Sequence, residues 1–404
     1  MIPARASTMV AGVSMVTAGA MLANIASYVL QLSGGILLGL SMYGVFASLL
    51  AAQLVLAVPA LAVQTVVARD RVRGRSIAEA RHGGNRSALV VAVLAVISTP
   101  FVAALVHTDL ATTAAAVCTA PFLVLLATEQ GLLQGDSRFG VLGGVLAIGG
   151  IAKVAPAVTM LLLGFSAGPA LAAGAAGTAL MAAAARLVVN RQIDDTADGR
   201  SSAFGARRWR DVLAASQVQL VIVALSSVDL LLARRVLDPD SAGIYALGAV
   251  AAKAAFWLPQ SVGVVLYPKM ADPRQSASAV RTAIMVLLGV GGIVVSIAAV
   301  AGPLVPVVMG EQYAPVQHLL WLFAGQGALL AVVQLGLLAS VARGDTRSAL
   351  IAWSVLAVET VLVLVLVHSV LELIIVAAAC AVAASVVVSA SAIRGARVLG
   401  SKNE

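Results

Sequence analysis

Five charged side chains stand inside stretches that are otherwise apolar. They are Glu129 in LLATEQGLLQ, Lys153 in GGIAKVAPAV, Asp229 in LSSVDLLLA, Lys253 in GAVAAKAAFW and Glu359 in VLAVETVLVL. A charge at the centre of a bilayer costs about 2.5–3.5 kcal/mol on insertion scales, so such residues face a bundle interior or a watery cavity. Lys153 and Lys253, one in each half of the chain, would make a lumen attractive to an anion, for which a lipid-linked pyrophosphate is a suitable cargo. The alternative is that each pairs with a buried carboxylate or snorkels. Trp257 lies one helical turn after Lys253 on the same face, set either to stack on a sugar or to pack. Asp229 is either half of an ion pair with Arg234 at an outer mouth or an ion-coupling carboxylate. Glu359 is either the partner of one of the lysines or a proton site. Glu129 is either a gate or part of a solvated rim. Asn24, Gln31, Gln64 and Gln334 are further polar candidates for a lumen, each with the alternative of holding helices together.

The elements that must position these residues are long apolar runs. The chain of 404 residues is 61% hydrophobic and 11% charged, against about 25% charged in ordinary soluble domains. A helix needs about 20 apolar residues to span the hydrocarbon. By that rule twelve spans are expected: 8–33, 41–66, 87–106, 110–134, 139–164, 166–190, 211–237, 241–268, 279–301, 314–341, 348–369 and 370–394. The runs are continuous rather than alternating, so the expected class is an all-α polytopic membrane protein, not a barrel. Six prolines punctuate the spans: Pro59, Pro100, Pro121, Pro156, Pro169 and Pro259. The Gly and Ala clusters in 143–150 and 172–185 read as helix-packing surfaces.

Orientation follows from Lys and Arg. Of the 26 such residues, all but Lys153, Lys253, Arg234 and Arg235 fall in the N-terminus, the tail and the connections that share one side of the membrane. Both termini are therefore expected to be cytoplasmic. The net charge of +8 reflects this topology, and nucleic acid is excluded as a partner. Basic segments also favour anionic lipid head groups. The largest expected connections are 67–86 and 191–210. The organisation expected is a first six-helix bundle over 1–190, a cytoplasmic linker over 191–210, a second bundle over 211–394 and a cytoplasmic tail over 395–404.

A repeat supports two related halves. Tyr43-Gly44-Val45-Phe46 with Pro59 matches Ala242-Gly243-Ile244-Tyr245 with Pro259, and Gly135-Asp136-Ser137-Arg138 matches Gly344-Asp345-Thr346-Arg347. Six spans per half give both halves the same orientation.

An enzyme is disfavoured. The four histidines are scattered, no nucleophile–His–acid or metal-ligand spacing occurs, and no sizeable outer loop exists to hold a catalytic site. No cofactor or metal is expected.

The stretch YGVFASLLAAQLVLAVPALAVQTVVAR, then GLLQGDSRFG, then VDLLLARRVLDPDSAGIYALGAVAAKAAFWLPQSVGVVLYP resembles the polysaccharide-transporter family of lipid-linked oligosaccharide flippases, including O-antigen flippase-like proteins, of the MOP superfamily. The resemblance implies two six-helix bundles around a central cavity, MATE-like, working by alternating access. It implies a lipid-linked glycan as substrate, membrane lipids and polysaccharide assembly proteins as partners, and a multi-pass place in the bacterial cytoplasmic membrane. Lys153 and Lys253 are the positions matched to a pyrophosphate-binding role. Many relatives have fourteen spans, and twelve are found here. The alternative function is an ion-coupled exporter of small molecules or drugs.

Overall fold

The computed structural model describes residues 4–193, 217–257, 276–342 and 347–401. The described residues form helices, turns and bends, with no strand among them. The chain divides into two compact units, one holding residues to Leu38 and Leu49–Ser216, the other Gly39–Ser48 and Gln217–Glu404.

α1 (Ala4–Leu37) of the first unit is followed by α2 (Leu40–Leu56), whose residues up to Ser48 belong to the second unit, and by α3 (Val58–Val72), which continues α2 as one span. The interruption at Ala57 precedes Pro59, which cannot donate to the preceding turn and occupies the first turn of α3. The chain then reverses through Gly74, at φ +85°. Ser76 caps α4 (Ile77–Val106), its hydroxyl accepting from the Glu79 N–H at 3.2 Å, in the Ser-x-x-Glu pattern of a capping box. α5 (Leu110–Val117) and α6 (Thr119–Gly135) follow as one span interrupted at Cys118, just before Pro121. Last come α7 (Phe139–Leu162) and α8 (Ala167–Gln192). Pro100 and Pro156 lie within continuous helices, so proline alone did not decide where spans break.

α6 runs through the centre of this unit, with α3, α4 and α8 against it, while α7 packs on α1 and α8. The core between them includes Val63, Val67, Val124, Leu132, Leu142, Ala185 and Val189. The Gly/Ala clusters do pack helices: a side chain at Gly177 would strike the backbone of Ala152, and one at Gly143 the backbone of Met15. Such small residues let helices approach without a hydrophobic driving force between them.

In the second unit, α9 (Gln217–Leu225) and α10 (Val228–Val236) are bent by 41°. The expected span 211–237 is thus not one straight helix. Its break falls at Ser226-Ser227, a serine pair, one of the ordinary causes of a kink. Then follow α11 (Pro239–Trp257), α12 (Ser276–Ala301), short helical turns over 302–316, α13 (Leu320–Ala342), α14 (Arg347–Leu366) and α15 (Val370–Ser401). α13 is central here, packed by α11, α12 and α15.

Among the described residues ten helices are long and apolar enough to cross a membrane, and the bent pair Gln217–Val236 makes up to eleven. Each corresponds to an expected span. The twelfth, 241–268, is α11 as far as Trp257; residues 258–268, with Pro259, lie outside the described residues. So do most of the expected linker 191–210 and the second repeat landmark at Gly344-Asp345-Thr346. The expected connection 67–86 is much shorter, because α3 continues to Val72 and α4 begins at Ile77. Part-buried ion pairs, described below, join the polar ends of both helices to α6 and its C-cap.

The outward faces are apolar. On α4, Leu89, Val93, Val96, Ile97 and Phe101 are exposed, as are Val358, Val361, Leu364 and Val365 on α14. Surfaces of this kind require lipid. The chain is a multi-pass membrane protein.

Candidate functional site

The second unit contains a buried polar cluster built on the break between α9 and α10. Because α10 starts at Val228, Asp229 lies in its first turn, where the helix dipole favours negative charge. Its Oδ1 accepts from the Leu230 N–H at 2.7 Å. Its Oδ2 accepts from the Tyr245 hydroxyl of α11 at 2.6 Å and from Gln326 Nε2 of α13 at 2.9 Å. Asp229 is 3% exposed, Tyr245 0% and Gln326 2%. α13 reaches so close because Gly327 lies against the Ala252 carbonyl of α11, where any side chain would collide.

Two more charges belong to this cluster. Lys253 of α11 is buried and lies within electrostatic reach of Asp229. Glu359 of α14 is buried, and Asp229 and Tyr245 feel its charge. The helix that bears it packs on α10. Glu359 Oε1 and Gln326 Oε1 are buried with no hydrogen-bond partner among the described residues. Two carboxylates and one ammonium are thus buried together, with unused acceptor oxygens. Arg234 donates to the Pro239 carbonyl at 3.4 Å. Trp257 packs edge-on against Phe256, ring centres 5.0 Å apart.

The two copies of the repeated Tyr/Ala-Gly sequence meet in this unit. A side chain on Gly44 would come within 3.1 Å of the Gly243 N, and Ser48 donates to the Leu230 carbonyl at 3.1 Å, one residue from Asp229. Tyr43 crosses Tyr313 edge-on at 6.1 Å.

In the first unit, Lys153 sits mid-way along α7, half-buried, its backbone pressed against Gly174 of α8. Among the described residues no carboxylate lies within ion-pair distance of Lys153. Glu129 is not on a solvated rim: it is buried and receives both Arg81 Nε and Nη2 at 2.8 Å. Arg81 also donates to Asn190 Oδ1 at 2.7 Å and to the Arg186 carbonyl at 3.2 Å. Nearby, Arg71 Nε pairs with Asp136 at 3.0 Å. Gln64 donates to Gln134 Oε1 at 3.1 Å. Asn24 is exposed on α1, Gln31 half-buried on the same helix, and Gln334 half-buried on α13.

Sequence reasoning missed Tyr245 and Gln326 as partners of Asp229, and Arg81 as the partner of Glu129. A mid-span Gln such as Gln326 is the one signal that was available.

No family model matches the chain, and no curated protein matches it by sequence. Solved structures do. An inward-facing multidrug resistance MATE family transporter of the MOP superfamily superposes with TM-score 0.66 at 15% identity, over 97% of this chain and 100% of that one. The lipid II flippase MurJ, in an inward closed conformation, matches with TM-score 0.66 at 12% identity, over 94% and 90%. A eukaryotic MATE transporter, AtDTX14, matches with TM-score 0.60 at 14% identity, over 98% and 99%. The fold is that of MOP-superfamily transporters. These neighbours are transporters and a flippase, not enzymes.

Proposed function

We propose that this protein is a flippase that moves a polyprenyl-pyrophosphate-linked oligosaccharide from the inner to the outer leaflet of the bacterial cytoplasmic membrane. It works by alternating access, with both termini cytoplasmic, in cell-surface polysaccharide assembly. The observation that carries this reading is Lys153, a cation at membrane depth with no carboxylate at hand among the described residues. An uncompensated ammonium there is costly unless an anion visits it, and the pyrophosphate is that anion.

Lys253 lies within electrostatic reach of Asp229, and we assign it to the coupling cluster rather than to the cargo. One lysine cannot neutralise Asp229 and Glu359 together. When both are ionised a second cation, a proton or Na⁺, must enter, because buried charge is tolerated only when paired. Loading and release of that cation are the coupling step, with Tyr245 and Gln326 orienting Asp229. The acidic balance of this cluster also favours the second reading, an ion-coupled exporter of small cationic molecules.

Flipping of a fluorescent polyprenyl-pyrophosphate oligosaccharide in proteoliposomes tests this. Wild-type activity that collapses in Lys153→Ala supports the flippase. Activity unaffected by that change removes Lys153 from the cargo path. A folded wild type that flips no glycan under either gradient, yet expels a cationic dye, establishes the exporter instead.

A further inference from the structure

At the basic end of the first unit, a crevice opens between α4 and α8, floored by α6. Its outer part has a volume of about 630 Å³ and is lined by Arg81, His82, Asn85, Arg186 and Asn190. Arg81, Asn85 and Arg186 also line a second cavity of about 250 Å³, which passes Thr128 and the Arg81-paired Glu129 and continues between Phe122, Leu125, Ala179 and Ala183. One end is polar and cationic, the other largely apolar, and the two share three residues.

The charges are unequal. Arg81 is neutralised by Glu129. The Arg186 guanidinium is exposed, and among the described residues it has no partner, since only its backbone carbonyl is used. Arg81 and Asn85 come just before the apolar run of α4, and Arg186 and Asn190 in the last two turns of α8. That is the level of lipid head groups, and basic pockets between helices at this level bind anionic heads.

We propose that this crevice is a binding site for a resident anionic phospholipid. Its phosphate is held by Arg186 and Asn85, and one acyl chain lies over Phe122, Leu125 and Ala183. A guanidinium binds phosphate as a two-pronged donor, and the adjoining apolar cavity is what a free phosphate would leave unused. The site is separate from the cargo and coupling residues and stands whether or not the protein flips glycans.

The test is native mass spectrometry of the full-length protein in detergent, titrated with phosphatidylglycerol, phosphatidylcholine or inorganic phosphate. Phosphatidylglycerol should bind in preference to phosphatidylcholine. Arg186→Ala should weaken it by about five- to tenfold, Arg186→Lys should retain part of it, and Ala183→Trp, which fills the apolar part from an exposed position, should also weaken it. Arg191→Ala, a neighbouring exposed arginine outside the crevice, should change nothing and serves as the folded control. Equal binding of the two lipids, or an unaltered Arg186→Ala, overturns the proposal. So does displacement of phosphatidylglycerol by inorganic phosphate with Ala183→Trp unaltered, which would mean a phosphate site without a lipid.

Discussion

Asp229 shows how a single carboxylate is made tolerable at membrane depth. It takes a backbone N–H at a helix start, a phenol and an amide, and each such bond to a charged group contributes about 1.5–3 kcal/mol. Tyr245→Phe removes one donor and leaves the shape unchanged. It should lower stability by about 1–3 kcal/mol, seen as a lower melting temperature in detergent, while the fold persists. Asp229→Asn should keep the fold and abolish the dependence of transport on an imposed ion gradient; unchanged dependence would remove Asp229 from coupling. In the first unit, Arg81→Ala would leave Glu129 buried and unpaired, at a cost of about 3–5 kcal/mol. Adding Glu129→Gln should recover much of that loss, and a double-mutant cycle measures the coupling. Additive effects would show that the pair contributes little.

At the scale of elements, the helices start and meet through local devices. Asp238 precedes Pro239 at the start of α11, and its Oδ1 accepts the N–H groups of Asp240 at 3.1 Å and Ser241 at 3.0 Å. Ser241, through its side chain first and its backbone N–H next, holds the Asp238 carboxyl below the usual range. A lowered folded value means that the stabilisation is complete above the unfolded value of about 3.9 and is lost as pH falls through the folded one. Hydrogen exchange at the first turn of α11 should therefore accelerate only in acid. Asp238→Asn should abolish that pH dependence while keeping the cap, and Asp238→Ala should cost about 1 kcal/mol at neutral pH. The helix contacts depend on absent side chains. Gly177→Leu would drive a branched side chain into the Ala152 backbone of α7, separating α7 from α8 beside Lys153. A marked drop in melting temperature and in flipping together is expected, and a variant with wild-type values of both would refute the close contact.

For the whole molecule, the proposed coupling draws on the membrane potential. Moving one elementary charge across the membrane is worth about 2.3 kcal/mol per 100 mV, and the buried Asp229–Glu359–Lys253 group is where a cation would ride. Wild-type flipping should rise when an inward proton or Na⁺ gradient is imposed, and Glu359→Gln should abolish that rise. Flipping of equal rate with and without gradients would make the cluster structural.

The class of the protein and the places of most of its spans were legible because apolar run length is a local property of a chain, and the bilayer reads it locally. The candidate charges were legible for the same reason: Lys153, Asp229, Lys253 and Glu359 stand out against apolar neighbours. Their partners were not. Tyr245 is 16 residues from Asp229 and Gln326 is 97; Tyr245 does not look unusual in its own stretch, and a mid-span glutamine such as Gln326 does not say which residue it meets. The serine pair that breaks the seventh span carried a weaker signal than the prolines, two of which lie inside unbroken helices. Glu129 likewise looks like a rim residue until Arg81, 48 positions away, is brought onto it by the packing of α4 on α6. Which polar groups meet is decided by how closely helices approach, and that is set by pairs such as Gly327 against Ala252 from different elements, a property of the packed tertiary structure rather than of any one stretch of sequence.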